Sequence, residues 1–100
     1  MKPADALRII RDRAQESDHI FILRHARQRM IERGVDDLDV QRCLRGGVVT
    51  EGPYVPTDSR TGAWRCNVEC VISGDRLRVV VELPKEPPDL LVITVIDLGR

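Results

Sequence analysis

The chain is 100 residues long and carries 16 basic and 16 acidic side chains, so it has no net charge at neutral pH. This balance excludes a protein that coats nucleic acid by bulk electrostatics, because no excess positive field remains. The length predicts a single domain over residues 1–100 with one core, and no apolar run approaches the roughly 20 residues of a membrane helix.

The cysteines argue against a metal centre. Cys43, Cys66 and Cys70 are odd in number and lack the paired spacing of zinc ligands, since four residues of extended strand separate the last two by about 13 Å. We expect them to be small buried apolar side chains. Because the N-terminus also lacks a signal-peptide pattern, we expect a soluble, cytoplasmic protein with no metal, no cofactor and no membrane contact.

The basic residues are unusual in kind. All except Lys2 and Lys85 are arginines, which makes fourteen of the 16. Arginine grips phosphate through a planar fork of donors, although high-GC codon usage produces the same bias. Residues 24–33 gather four arginines against Glu32 alone, so any contact with nucleic acid is expected to be local to this segment.

The N-terminal half has helical periodicity. Helices are predicted over residues 3 to about 16, 23 to about 34, and 37 to about 46. Pro3 suits a first turn, Gly34 suits a left-handed C-cap, and Asp36 suits an N-cap followed by acids in the first turn. The segment HIFIL (19–23) is ambiguous between an extended lead-in and the start of the second helix.

The second half has the alternation of strands. Strands are predicted over residues 48–55, 63–72, 77–83 and 90–97, with a hairpin turn at 73–76. The last strand is apolar at nearly every position, which predicts a central strand covered on both faces. Helices followed by strands predict an α+β fold, in which two to three N-terminal helices pack on one face of a mostly antiparallel four-stranded sheet.

The second helix carries a polar cluster. With successive residues about 100° apart around the axis, His25, Arg29 and Glu32 fall close together and Arg33 flanks them. Cleavage of RNA through the 2′-hydroxyl needs a proton acceptor, a proton donor and cations that stabilise the pentacoordinate phosphate, and histidine with arginine supplies the last two. The same face is also typical of a merely solvated helix, where an Arg29–Glu32 pair contributes only about 0.2–0.5 kcal/mol.

A family resemblance adds to this pattern. The run HARQRMIERGVDDLDVQRCLRGG (25–47) resembles the signature of the bacterial domain of unknown function DUF4258, and VITVI (92–96) resembles its closing strand. The resemblance covers about residues 20–97. It implies a fold similar to the RelE and ParE toxins, within the group of barnase-, EndoU- and colicin-like metal-independent ribonucleases.

The resemblance also implies a function and a site. It points to the toxin of a toxin–antitoxin pair, with RNA as substrate and a zinc-ribbon, helix-turn-helix antitoxin as partner. The site residues expected on this analogy are His25, Arg29 and Arg33 as catalytic groups, with Thr94 across the cleft and Arg65 and Tyr54 as further substrate contacts.

Two alternatives to an endoribonuclease stay open. The chain can be a non-catalytic protein-binding module on the same fold. It can also use His25 and Arg33 structurally, to order the turn after the second helix through hydrogen bonds to helix carbonyls or to Asp36. The RNA sequence, any need for the ribosome and the oligomeric state are beyond what the sequence predicts.

Overall fold

The computed structural model of the chain describes residues 1–59 and 61–99. Within them lie three helices: α1 (Pro3–Arg13), α2 (Arg24–Arg33) and α3 (Asp37–Gly46). The strands are β1 (Ile20–Ile22), β2 (Val48–Tyr54), β3 (Trp64–Ile72), β4 (Asp75–Leu83) and β5 (Leu90–Gly99). The α+β class predicted from the sequence is therefore confirmed.

Local capping chemistry sets the turn between α2 and α3. Gly34 ends α2 in the left-handed region at φ +66°, which glycine adopts without a steric penalty. The Asp39 backbone N–H then donates to the Asp36 carboxylate at 2.8 Å, and the Asp36 N–H donates to the Asp39 carboxylate at 3.2 Å. This reciprocal capping box starts α3 where the sequence predicted it.

Helix α1 ends earlier than the sequence predicted. Its last helical residue is Arg13 rather than Glu16. Beyond it the backbone bends, and the Gln41 side-chain amide of α3 donates to the Ala14 carbonyl at 3.0 Å. The Gln15 side-chain amide also donates to the Arg11 carbonyl at 2.9 Å, so carbonyls at this helix end are satisfied both by a neighbour in sequence and by a side chain of α3.

The described residues form a five-stranded sheet in the order β1-β5-β4-β3-β2, so the predicted four strands were one too few. The extra strand is β1, from the ambiguous segment 19–23, and it pairs in parallel with residues 90–92 of β5. All other pairs are antiparallel. A three-residue strand has too short a pattern to be recognised alone, because its hydrogen-bond partners come entirely from β5.

The core lies between the three helices and one face of the sheet. Its fully buried members from the helices are Ala6, Ile10, Ala26, Met30, Val40, Cys43 and Leu44. From the sheet it takes Cys66 and Val68 of β3, Val79 and Val81 of β4, and Leu90, Val92 and Val95 of β5. The prediction that β5 is covered on both faces was wrong, because its remaining residues are only half-buried and no described element packs on that other face.

Two adjacent glycines at the C-terminal end of α3, Gly46 and Gly47, offer a matched test of this packing. A Cβ on Gly47 would lie 2.6 Å from the Cys43 carbonyl oxygen and 2.6 Å from the Glu69 carbonyl oxygen, whereas a Cβ on Gly46 meets no atom within 4 Å. We expect Gly47→Ala to lower the free energy of unfolding by about 1–3 kcal/mol, because backbone atoms cannot move aside easily. Urea denaturation of both variants checks this, and equal stability of Gly46→Ala and Gly47→Ala would contradict it.

Candidate nucleic-acid interface on helix α2

Helix α2 is anchored to the sheet through a narrow apolar stripe. Ala26 is fully buried and Met30 is 1% exposed, and the helix packs mainly on β5. Its other side chains are exposed. Since residues three and four apart share a helix face, this stripe determines which polar side chains point to each side.

The polar residues of α2 divide between two flanks. Arg27 forms an ion pair with Asp37 at the start of α3, so it marks the flank that faces α3. His25 and Arg29 project about 160–200° away from Arg27 around the axis. His25 and Arg29 therefore lie on the outer flank of α2, the flank that faces away from α3.

The outer flank also carries a carboxylate. Arg29 donates to Glu32 at 3.0 Å, and the Gln28 amide donates to the same carboxylate at 3.4 Å. These hydrogen bonds, first from Gln28 and then from Arg29, lower the pKa of Glu32. His25 makes no side-chain hydrogen bond to any residue that the structure describes. The flank therefore presents an imidazole, a guanidinium and an ionised carboxylate along two helical turns.

The N-terminus of α2 lacks a side-chain cap. Its N-cap residue is Leu23, whose side chain cannot accept a hydrogen bond, and the first turn holds no acidic residue. The first N–H groups of a helix and the positive end of its dipole favour anions. His25, in that first turn, therefore stands where a phosphate would be stabilised.

Arg33 lies apart from this pair. It borders a cavity of about 150 Å³ with the acidic residues Asp39, Asp75 and Asp97, to which neither His25 nor Arg29 contributes. Three carboxylates that line the same cavity as the guanidinium disfavour a phosphate there. The structure thus brings His25 and Arg29 together on one flank and places Arg33 at an acidic hollow beyond them.

The structure allows one check on the structural alternative for Arg33. Its guanidinium makes no hydrogen bond to Asp36 or to a helix carbonyl within residues 1–59 and 61–99. Instead, the turn after α2 is held by the backbone, where the Val35 N–H donates to the Met30 carbonyl at 2.9 Å. Ordering of this turn does not require Arg33.

The other predicted substrate contacts lie on the opposite face of the sheet. Thr94 pairs in register with Val80, and Arg65 pairs with Glu82. Val80 and Glu82 alternate with buried core residues of β4, so these side chains point away from the helices. Tyr54 pairs with Arg65 in register and shares that face. Thr94, Arg65 and Tyr54 therefore do not face His25 across a cleft.

Arg65 is already engaged on that face. Its Nε and Nη2 atoms donate to Glu82 at 3.2 and 2.5 Å, and the two side chains are only 25% and 13% exposed. A two-point, partly buried ion pair is costly to break. A phosphate would have to displace Glu82 to reach this arginine.

Three acidic residues lie near the predicted site residues but were not predicted to be part of the site. Glu32 is seven residues after His25, a spacing that returns to the same helix flank, so helical geometry had already brought it near. Asp75 and Asp97 come from the β3–β4 hairpin and the end of β5, and only the tertiary fold brings them to Arg33. No sequence pattern indicates that second group.

The cysteines fit an apolar role. Cys43 and Cys66 are fully buried and Cys70 is half-buried, all as free thiols. Burial raises the pKa of Cys43 and raises that of Cys66 to about 11, so both thiols stay protonated at neutral pH. In the part of the chain that the structure describes, no three His, Cys, Asp or Glu side chains are grouped closely enough to hold a metal ion.

No helix among the described residues is long and apolar enough to cross a bilayer.

Comparison with known proteins shows which family the chain belongs to. No curated protein and no solved structure matches the chain. A family model described as "Domain of unknown function (DUF4258)" matches residues 22–97, a span that contains α2, its outer flank and nearly all of β5. The family resemblance of the helical motif is thereby confirmed, and the chain belongs to the DUF4258 family.

Proposed function

We propose that the protein is a metal-independent endoribonuclease that acts as the toxin of a toxin–antitoxin pair, with its reactive groups on the outer flank of α2. The observation that carries the proposal is the pairing of His25 with Arg29 one turn away, at a helix N-terminus without a side-chain cap. This arrangement offers an anion both a positive helix end and two cationic side chains.

The ion pair that now holds Arg29 is no obstacle to phosphate binding. Arg29 and Glu32 are 44% and 42% exposed, and an exposed pair of this kind contributes only about 0.2–1 kcal/mol. A phosphate accepts two hydrogen bonds from a guanidinium and gains more than that. Arg29 can therefore exchange its ion pair with Glu32 for hydrogen bonds to a substrate phosphate at a small cost in free energy.

The flank also supplies both proton-transfer groups. Glu32 accepts the proton of the ribose 2′-hydroxyl, whose oxygen attacks phosphorus. Protonated His25 gives its proton to the departing 5′-oxygen, and Arg29 stabilises the charge on the pentacoordinate phosphate. The products are a 2′,3′-cyclic phosphate and a 5′-hydroxyl. The lowered pKa of Glu32 keeps it ionised but makes it a weak base, so we expect a modest turnover rate.

The finer fold assignment belongs to the same proposal. Three helices lie on one face of a mixed sheet in which the four strands β2 to β5 are antiparallel to their neighbours. This arrangement is compatible with a RelE- or ParE-like architecture. A neutral chain lacks the field that would draw it to the ribosome, so we propose cleavage of free RNA. Its partner as a toxin is an antitoxin, which the family resemblance suggests is of the zinc-ribbon, helix-turn-helix type.

The test is incubation of the purified protein with 5′-labelled RNA in EDTA. We expect fragments that end in a 2′,3′-cyclic phosphate, and we expect expression without a partner to slow bacterial growth. Intact RNA together with normal growth of cells that contain folded protein would refute the proposal. That pair of results would favour the alternative, a non-catalytic protein-binding module.

A further inference from the structure

Two of the three cysteines lie beside each other between α3 and the sheet. The Cys43 sulfur of α3 is 3.8 Å from the Val68 carbonyl oxygen of β3 and 4.0 Å from the Leu77 carbonyl oxygen of β4. Leu77 is the register partner of Cys70, and Val68 is two residues before Cys70 on β3. The Cys43 sulfur therefore lies over the part of the β3–β4 pair to which Cys70 belongs.

The Cys70 side chain points towards that sulfur. Alternate residues of a strand share a face, and Cys70 is on the face of β3 whose residues Cys66 and Val68 are fully buried beneath the helices. Burial first, and the Cys70 thiol second, raises the pKa of Cys43. Burial also raises the pKa of Cys70, whereas the neighbouring Cys43 thiol lowers it. Burial alone raises the pKa of Cys66, which marks it as the cysteine outside this pair.

The two members of the pair differ in their access to solvent. Cys70 is half-buried and lines an open cavity of about 420 Å³, beside Arg42 and Gly47 from the end of α3. Cys43 is fully buried and is not among the residues that line this cavity. A small reagent therefore reaches Cys70 first, and the Cys43 sulfur lies behind it.

We propose that Cys70 and Cys43 form a reversible disulfide that links β3 to α3, with a small-molecule disulfide such as oxidised glutathione as the oxidant. The Cys70 thiolate attacks one sulfur of oxidised glutathione and expels a glutathione thiolate. The Cys43 sulfur then attacks Cys70 in the mixed disulfide and expels the second one. Each protein thiol gives up a proton and each departing thiolate takes one. Two protein thiols are thus oxidised while one glutathione disulfide is reduced to two thiols.

The link would act as a redox-sensitive staple. It would hold the C-terminal part of α3 on β3 and close residues 43–70 into a covalent loop. A disulfide stabilises a fold mainly by restricting the unfolded chain, so the oxidised protein should unfold at a temperature about 10 °C higher than the reduced one. Neither cysteine belongs to the outer flank of α2, so this inference stands or falls separately from the nuclease proposal.

The test is oxidation of the folded protein with oxidised glutathione at about pH 8.5, because the thiolate is the attacking form. Free thiols are then alkylated in denaturant and counted by mass. We expect one free thiol in place of three, and dithiothreitol should restore all three. Digestion with trypsin and glutamyl endopeptidase, which cleaves after Glu69 and so separates Cys66 from Cys70, should yield a peptide in which Cys43 is joined to Cys70.

Three single variants separate the roles of the cysteines. Cys66→Ala is the matched control, and it should form the same link and leave no free thiol. Cys43→Ala should stop at the mixed disulfide, with one glutathione retained on Cys70. Cys70→Ala should leave both remaining thiols free. Mapping of the wild-type protein decides the question even if a variant does not fold.

Several results would overturn the inference. Oxidised wild-type protein would keep three free thiols, retain glutathione on Cys70, or contain a link to Cys66. A link that forms only when the protein is oxidised in denaturant would show that the fold does not bring the two sulfurs together. A linked protein whose unfolding temperature does not rise would show that the bond does not fit between α3 and β3.

Discussion

His25→Ala is expected to lower the rate of RNA cleavage by about 10²- to 10⁴-fold, the usual contribution of one positioned proton-transfer group. The imidazole is the only group on the outer flank of α2 suited to protonate the leaving oxygen. The side chain is exposed and makes no hydrogen bond to a described residue, so its removal should leave the free energy of unfolding within about 0.5 kcal/mol. Single-turnover kinetics on labelled RNA and urea denaturation measure the two quantities.

The chain contains its own control, because His19 is its only other histidine. His19 ends the short 3-10 turn before β1 and lies outside α2. His19→Ala should cleave RNA at the wild-type rate. If both variants lose activity equally, or if His25→Ala retains it, His25 has no catalytic role and the proposed site is in the wrong place.

Met30→Ala is expected to lower the free energy of unfolding by about 2–5 kcal/mol, through lost burial and the cavity left behind. Met30 is 1% exposed and fills the space between α2 and the sheet. It is the larger of the two buried anchors of α2. Urea denaturation measures the loss, and it should be accompanied by faster hydrogen exchange of the α2 amides because that helix loses its main contact.

The next residue along the helix supplies the comparison. Ile31 is apolar too but 69% exposed, so Ile31→Ala should change stability by no more than about 0.5 kcal/mol. Equal effects at the two positions would mean that α2 does not pack as described. The outer flank would then have no fixed position on the sheet, and the nuclease proposal would lose its geometric basis.

Short-range signals determined a large part of this fold in advance. The turn between α2 and α3 depends on the left-handed Gly34 and on the reciprocal hydrogen bonds of Asp36 and Asp39, all within six residues. The β3–β4 hairpin depends on strict alternation across a short turn at Ser73 and Gly74. Such elements are predictable because the groups that satisfy their hydrogen bonds and bury their apolar faces are near in sequence.

The candidate site was likewise predictable only where its residues are close together in sequence. Helical geometry alone brings Arg29 and Glu32 onto the flank of His25, since all three belong to one regular helix. The expected position of Thr94 across a cleft depended on which face of β5 its side chain occupies. The register shift of β5 against β4 between residues 92 and 94 alters the alternation locally, and a one-residue change of register moves a side chain to the other face.

The sequence by itself therefore determined the α+β class, the family, and the grouping of an imidazole with a guanidinium on one helix. Only the tertiary structure decided that Arg33 lines a cavity with Asp75 and Asp97, and that β1 joins the sheet beside β5. The physical reason is range: the caps between α2 and α3 and the faces of each helix are set by neighbours along the chain. Strand partners, cavities and the sign of the charge around a side chain depend on residues that folding alone brings together.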